Sequence, residues 1–153
     1  MRPVRVGRCR FGVAGVLACL MVSCDDDKPV GPVTALDVPA IPGLLVEIVS
    51  PADGDTVVIE PEIRGTVSGL PAGHVLRVLV RPPGEVWWSQ PGVALLPDSS
   101  WTATIFVGQP EDAGTDITFL IGVVAIPTED DRQAGTQMRV NGQLPAVISV
   151  KRR

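Results

Sequence analysis

Three cysteine thiols, one histidine and two adjacent tryptophans are the side chains of this sequence that offer chemistry beyond simple charge. Covalent catalysis needs a nucleophile with a base in hydrogen-bond reach. His74 is the only imidazole, and it lies in the turn Pro71-Ala72-Gly73-His74, remote in sequence from every cysteine. The chain has no Gly-x-Ser-x-Gly elbow, no glycine-rich phosphate loop ending in lysine and no Cys/His spacing suited to zinc. Acidic pairs abound, and an acidic chain offers so many that none specifies the geometry of a glycosidase. The sequence therefore reads as non-enzymatic, without a metal site or cofactor.

Cys24 gains meaning from what precedes it. Arg2, Arg5, Arg8 and Arg10 form a basic flank with no acid in it, followed by the uncharged run from Phe11 to Val22 and the small residue Ser23. A positive flank, a short apolar core and a small residue at a cut site are the three parts of a secretory signal. The apolar core holds about a dozen residues, fewer than the ~20 a spanning helix requires. Val22-Ser23-Cys24, with Met21 where leucine is usual, resembles the signal peptide of bacterial lipoproteins. That resemblance implies cleavage before Cys24 and acylation of its thiol by a diacylglyceryl group, with palmitate among its chains. Two or three acyl chains hold a protein stably at a bilayer where one does not. Cys9 and Cys19 fall in the segment that would be removed, so the mature chain keeps a single cysteine and no disulfide framework.

Without residues 1–23 the chain keeps 9 basic against 17 acidic residues. Such a balance argues against nucleic acid, whose binding rests on Lys and Arg at phosphates. It also leaves membrane attachment to the lipid rather than to surface charge. Asp25-Asp26-Asp27 reads as a solvated start to a tether. An aspartate directly after a lipidated cysteine also resembles an inner-membrane retention signal, and the choice between inner and outer membrane stays open. Pro29, Pro32, Pro39 and Pro42 recur with Gly31 and Gly43 and no apolar period. Residues 24–43 are thus read as an Asp/Pro-rich tether, whose proline-rich part at ~3.1 Å per residue spans on the order of 50 Å.

From Leu44 to Arg153 the pattern is short β-type runs separated by turns. Val46 and Ile48 point inward from a strand over 45–49. Ile63, Gly65 and Val67 alternate with Arg64, Thr66 and Ser68, and Leu76, Val78 and Val80 alternate with Arg77 and Arg81. Further strands are expected over 86–90, 101–107 and 146–150, and the nearly all-apolar Ile117–Ile126 predicts a central strand buried on both faces. The fold class is all-β, an antiparallel sandwich of about seven strands in a single domain over 44–153. The runs Ile48–Val57, Gly65–Gly69 and Ser100–Thr104 resemble bacterial immunoglobulin-like and fibronectin-type-III-like surface modules. The resemblance implies a display or adhesion role, and departs from antibody domains in lacking both a cysteine pair between sheets and any tyrosine.

Trp87 and Trp88 are the candidate ligand-binding residues, with Ser89 and Gln90 beside them. Strand alternation sends neighbouring side chains to opposite faces, so one indole belongs to the core and the other to a sheet face or rim. An exposed indole next to Gln90 would suit a sugar or a protein partner. The polar stretch 127–144 is a second candidate, expected as a long loop with Glu129-Asp130-Asp131 at a solvated tip and Gln137–Val140 as a short strand or helical turn. The expected partners are the membrane, through the lipid, and an envelope protein or polysaccharide. The expected location is exported and anchored at the cell envelope, periplasmic or surface-exposed. Cells expressing the full chain should incorporate labelled palmitate into it, and Cys24→Ala should abolish the label; a labelled Cys24→Ala protein would refute the lipid anchor.

Overall fold

A computed structural model describes residues 32–110 and 116–153. Cys24 and the start of the tether lie outside the described residues. These hold eleven strands: β1 (Thr34–Asp37), β2 (Leu45–Ser50), β3 (Thr56–Val57), β4 (Glu62–Ser68), β5 (His74–Arg81), β6 (Trp87–Ser89), β7 (Ala94–Leu95), β8 (Ser100–Thr104), β9 (Thr118–Pro127), β10 (Gln137–Asn141) and β11 (Ala146–Arg152). They form a seven-stranded sheet in the order β1-β10-β6-β5-β9-β11-β3 and a four-stranded sheet in the order β2-β4-β8-β7. The protein is all-β and built of two sheets sharing one core.

The period-2 alternation builds that core. Ile63 and Val67 of β4 and Trp101 and Ala103 of β8 meet Leu76, Val78 and Val80 of β5, Phe119, Ile121 and Val123 of β9 and Val150 of β11. The indole of Trp101 lies over Gly65, its register partner on β4, and its Nε1 donates to the Thr66 carbonyl at 3.1 Å. A Cβ on Gly65 would sit 2.0 Å from the Glu47 carbonyl oxygen and 2.3 Å from Trp101 Cζ2. Glycine is required there by close approach, not by dihedral freedom.

β9 lies inside the larger sheet, antiparallel to β5 over residues 120–127 and to β11 over residues 118–123. Its inner face carries Phe119, Ile121, Val123 and Ala125. Its outer face carries Val124 and Ile126, which belong to a second buried cluster with Leu79, Trp87, Met138, Leu36 and Leu144. The expectation of a strand buried on both faces is met.

One expectation is corrected, and one alternative, strand or helical turn at 137–140, is resolved as a strand. Part of the segment read as tether is a strand: β1 pairs in parallel with β10, matching Thr34 to Met138 through Asp37 to Asn141. The folded region therefore includes residues before 44. Prolines at 32, 39 and 42 flank β1 without interrupting it, and Leu36 anchors it in the second cluster. Within 127–144 the structure has a 3-10 turn, Thr128–Asp130, followed by β10, and β10 pairs with β6 as well as β1. Gln137–Asn141 takes strand geometry because Met138 and Val140 both have an apolar cluster to join.

Ser99 is the one described non-glycine residue with positive φ, at 64°, in the turn between β7 and β8. The turn is held by Asp98, whose Oδ1 accepts from the Ser100 amide at 3.0 Å and from the Ser100 hydroxyl, and the Ser99 carbonyl accepts from the Val67 amide at 2.9 Å. Those hydrogen bonds lower the Asp98 pKa, as bonds from the Ser149 amide and hydroxyl lower that of Asp53. Both contacts are complete above the ordinary carboxylate range and fail as pH falls through the depressed values. In urea denaturation, Gly65→Ala should lose about 3 kcal/mol through overpacking against Trp101 and the Glu47 carbonyl. Ser99→Gly should gain about 0.5 kcal/mol by relieving the left-handed residue. Unchanged stability of Gly65→Ala would contradict the close packing.

Candidate functional site

β6 is only three residues long and lies between β5 and β10, with Val80 and Gln137 as the register partners of Trp88 and Met138 as that of Trp87. Alternation sends Trp87 and Ser89 to the outer face of the larger sheet, and Trp88 and Gln90 to the face that bears Val80. Trp87 is 8% exposed and packs in the second cluster. The Arg81 guanidinium stands 4.9 Å from its ring centroid, a cation–π contact. Beneath the ring lies Gly122, where a Cβ would come within 3.2 Å of the indole and 2.4 Å of Leu144 Cδ1.

Gln90 is 5% exposed. Its Oε1 accepts from the Phe106 amide at 2.8 Å and its Nε2 donates to the Trp88 carbonyl at 3.3 Å. One side-chain amide thus joins the two sheets where the chain crosses from β6 toward β7. Of the three residues proposed from sequence to bind a ligand, Trp87 and Gln90 are committed to the fold. Trp88 is half-buried. The structure does not bring the three together as one exposed platform, because residues 87 and 90 serve opposite faces of the sheet.

Arg77 is the functional-looking residue that alternation misplaced. Its position on β5 predicts a solvent-facing side chain, yet it is 7% exposed. Its Nη1 donates to the Gln90 carbonyl at 2.7 Å and its Nε to Asp131 Oδ1 at 2.8 Å, with Nη2 on the same carboxylate oxygen. Asp131, read from sequence as part of a solvated tip, is therefore half of an ion pair that fastens the 3-10 turn over the sheet. No local sequence signal links the two, since 54 residues separate them.

The outer face of the smaller sheet is different. Leu45, Glu47 and Val49 of β2 and Glu62, Arg64, Thr66 and Ser68 of β4 all face solvent. Leu45 is 71% and Val49 58% exposed, and Leu96 and Phe106 are also exposed. A shallow depression of about 460 Å³ crosses this face between Val49 and Leu96, over Arg64, Thr66 and Thr102. A second, of about 640 Å³, runs along β2 past Leu45, Glu47 and Ser68 to Pro145. β2 is the terminal strand of its sheet, so one row of its backbone N–H and C=O groups has no strand partner.

Among the described residues, no three or more His, Cys, Asp or Glu side chains are gathered to hold a metal ion. His74 opens β5 with its Nδ1 3.5 Å from the Ala72 carbonyl oxygen. No helix among the described residues is long and apolar enough to cross a membrane. No family model matches the sequence, and no curated protein matches it.

The burial difference between the paired indoles sets a test. Trp87→Ala should lose about 3–5 kcal/mol in denaturation, and Trp88→Ala less than half as much. Equal losses would contradict the deeper burial of Trp87.

Proposed function

We propose that the chain is a non-catalytic binding module, held at the bacterial cell envelope by lipid on Cys24, which docks a polypeptide on the smaller sheet. The fold is read as immunoglobulin-like, in keeping with the turn and strand-start motifs. The observation that carries the reading is the unequal treatment of the two outer faces. The larger sheet covers the middle of its outer face with Leu36, Met138, Leu144 and the turn fastened by Arg77, leaving Val147 exposed on β11, whereas the smaller sheet leaves Leu45 and Val49 open with Leu96 beside them. Exposed apolar side chains beside polar ones are the composition of an interaction surface.

The occupant is taken to be a polypeptide because of β2. Its unpaired row of amides and carbonyls complements another peptide backbone, and alternate side chains of an added strand would lie over Leu45 and Val49. A glycan has no such complement, and the indole platform that would favour one is not assembled: Trp87 and Trp101 are buried. Glu47 and the Glu62–Arg64 pair at the same face give polar specificity at the rim.

Residues 32–153, used as bait on an envelope extract, should capture a protein that Val49→Arg/Leu96→Glu releases while the melting curve of the bait is unchanged. The same bait should bind no cell-wall or capsular polysaccharide. Capture of polysaccharide that is lost on Trp88→Ala would replace this reading with a carbohydrate-binding one.

A further inference from the structure

Asn141 is the only asparagine in the chain, and it is followed by Gly142. It ends β10, is exposed, and its Nδ2 donates to Asp37 Oδ1 at 3.0 Å, while its carbonyl accepts from the Val38 amide at 2.9 Å. These two bonds close the C-terminal end of β1 onto β10. Gly142 cannot be exchanged for a shielding residue: its φ is 112° and a Cβ would lie 2.6 Å from the Val38 carbonyl oxygen. The same feature that lets the chain pass β1 so closely leaves the Gly142 amide nitrogen without a side chain beside it.

We propose that Asn141–Gly142 is a self-modification site whose deamidation releases β1 from the sheet. The Gly142 backbone nitrogen loses its proton and bonds to Asn141 Cγ, and Nδ2 leaves as ammonia. The resulting succinimide takes up one water and opens to aspartate or isoaspartate. The net change is hydrolysis of one amide, with water as the only co-reactant. Ring closure needs the asparagine side chain to leave Asp37. β1 permits this because it is a terminal strand of four residues with one buried side chain, Leu36, and such edges open at low local free energy.

The product reverses the contact. An amide that donates to Asp37 becomes a carboxylate facing a carboxylate, and in the isoaspartyl form the backbone is also longer by one carbon. Either form weakens the clasp on β1, whose Leu36 belongs to the second cluster with Met138. Deamidation thereby acts as a slow, irreversible loosening of the point where the N-terminal part of the chain enters the sheet.

The full chain, incubated at mildly alkaline pH and mapped by peptide mass spectrometry, should accumulate aspartate and isoaspartate at 141. The same chain in urea serves as the reference for an unrestrained Asn-Gly pair. If the urea sample converts and the folded chain does not, the fold protects the site and the proposal fails. Asn141→Asp tests the consequence: amide exchange at Ala35–Val38 should quicken about five- to tenfold, the loss expected for one hydrogen bond replaced by repulsion. Adding Asp37→Asn should restore slow exchange by exchanging the partners' roles. Exchange that is unchanged in Asn141→Asp, or that stays fast in the double variant, would show that this pair does not clasp β1.

Discussion

Double burial of β9 is the constraint on which the rest of this structure depends. A strand with apolar residues on both faces must sit in the middle of a sheet with something packed against each side. The inner side is supplied by the smaller sheet, through Ile63, Trp101 and their neighbours. The outer side has no second sheet, so the chain supplies it from Leu36, Trp87, Met138 and Leu144. Of these, Leu36, Met138 and Leu144 come from the segments that local sequence assigns to tether and loop. Covering Val124 and Ile126 turns a proline-rich spacer into β1 and a polar excursion into β10.

That demand also explains the buried arginine. Once the 3-10 turn lies over β5, Arg77 loses its water and must find partners, and it takes Asp131 and the Gln90 carbonyl. A buried guanidinium left unpaired would be strongly destabilising, whereas a paired one mainly specifies the geometry. Here it sets where the turn docks, and through Gln90 and the Phe106 amide the same network reaches the smaller sheet. The two sheets are thus joined by polar contacts at the edge where the chain crosses, and by apolar packing between them.

The two outer faces differ. Among the described residues, the larger sheet buries Val124 and Ile126 on its outer face, whereas Leu45 and Val49 of the smaller sheet stay exposed and β2 ends that sheet.

Much of the inner core was legible in the residues. Ile63, Gly65 and Val67, then Leu76, Val78 and Val80, alternate with a period of two, and an unbroken apolar run marks β9, because one buried face imposes a local rhythm. The split of Trp87 from Trp88 followed from the same geometry, although which ring faced inward did not. Alternation by itself thus determined the all-β class, the inner face of each long strand and the separation of the two indoles. Only the tertiary structure decided that Arg77 is buried, that Gln90 bridges two sheets, and that Thr34–Asp37 is a strand. Each of those depends on a partner far along the chain, Asp131, Phe106 or Asn141, and a residue's own neighbours carry no record of what will be folded against it.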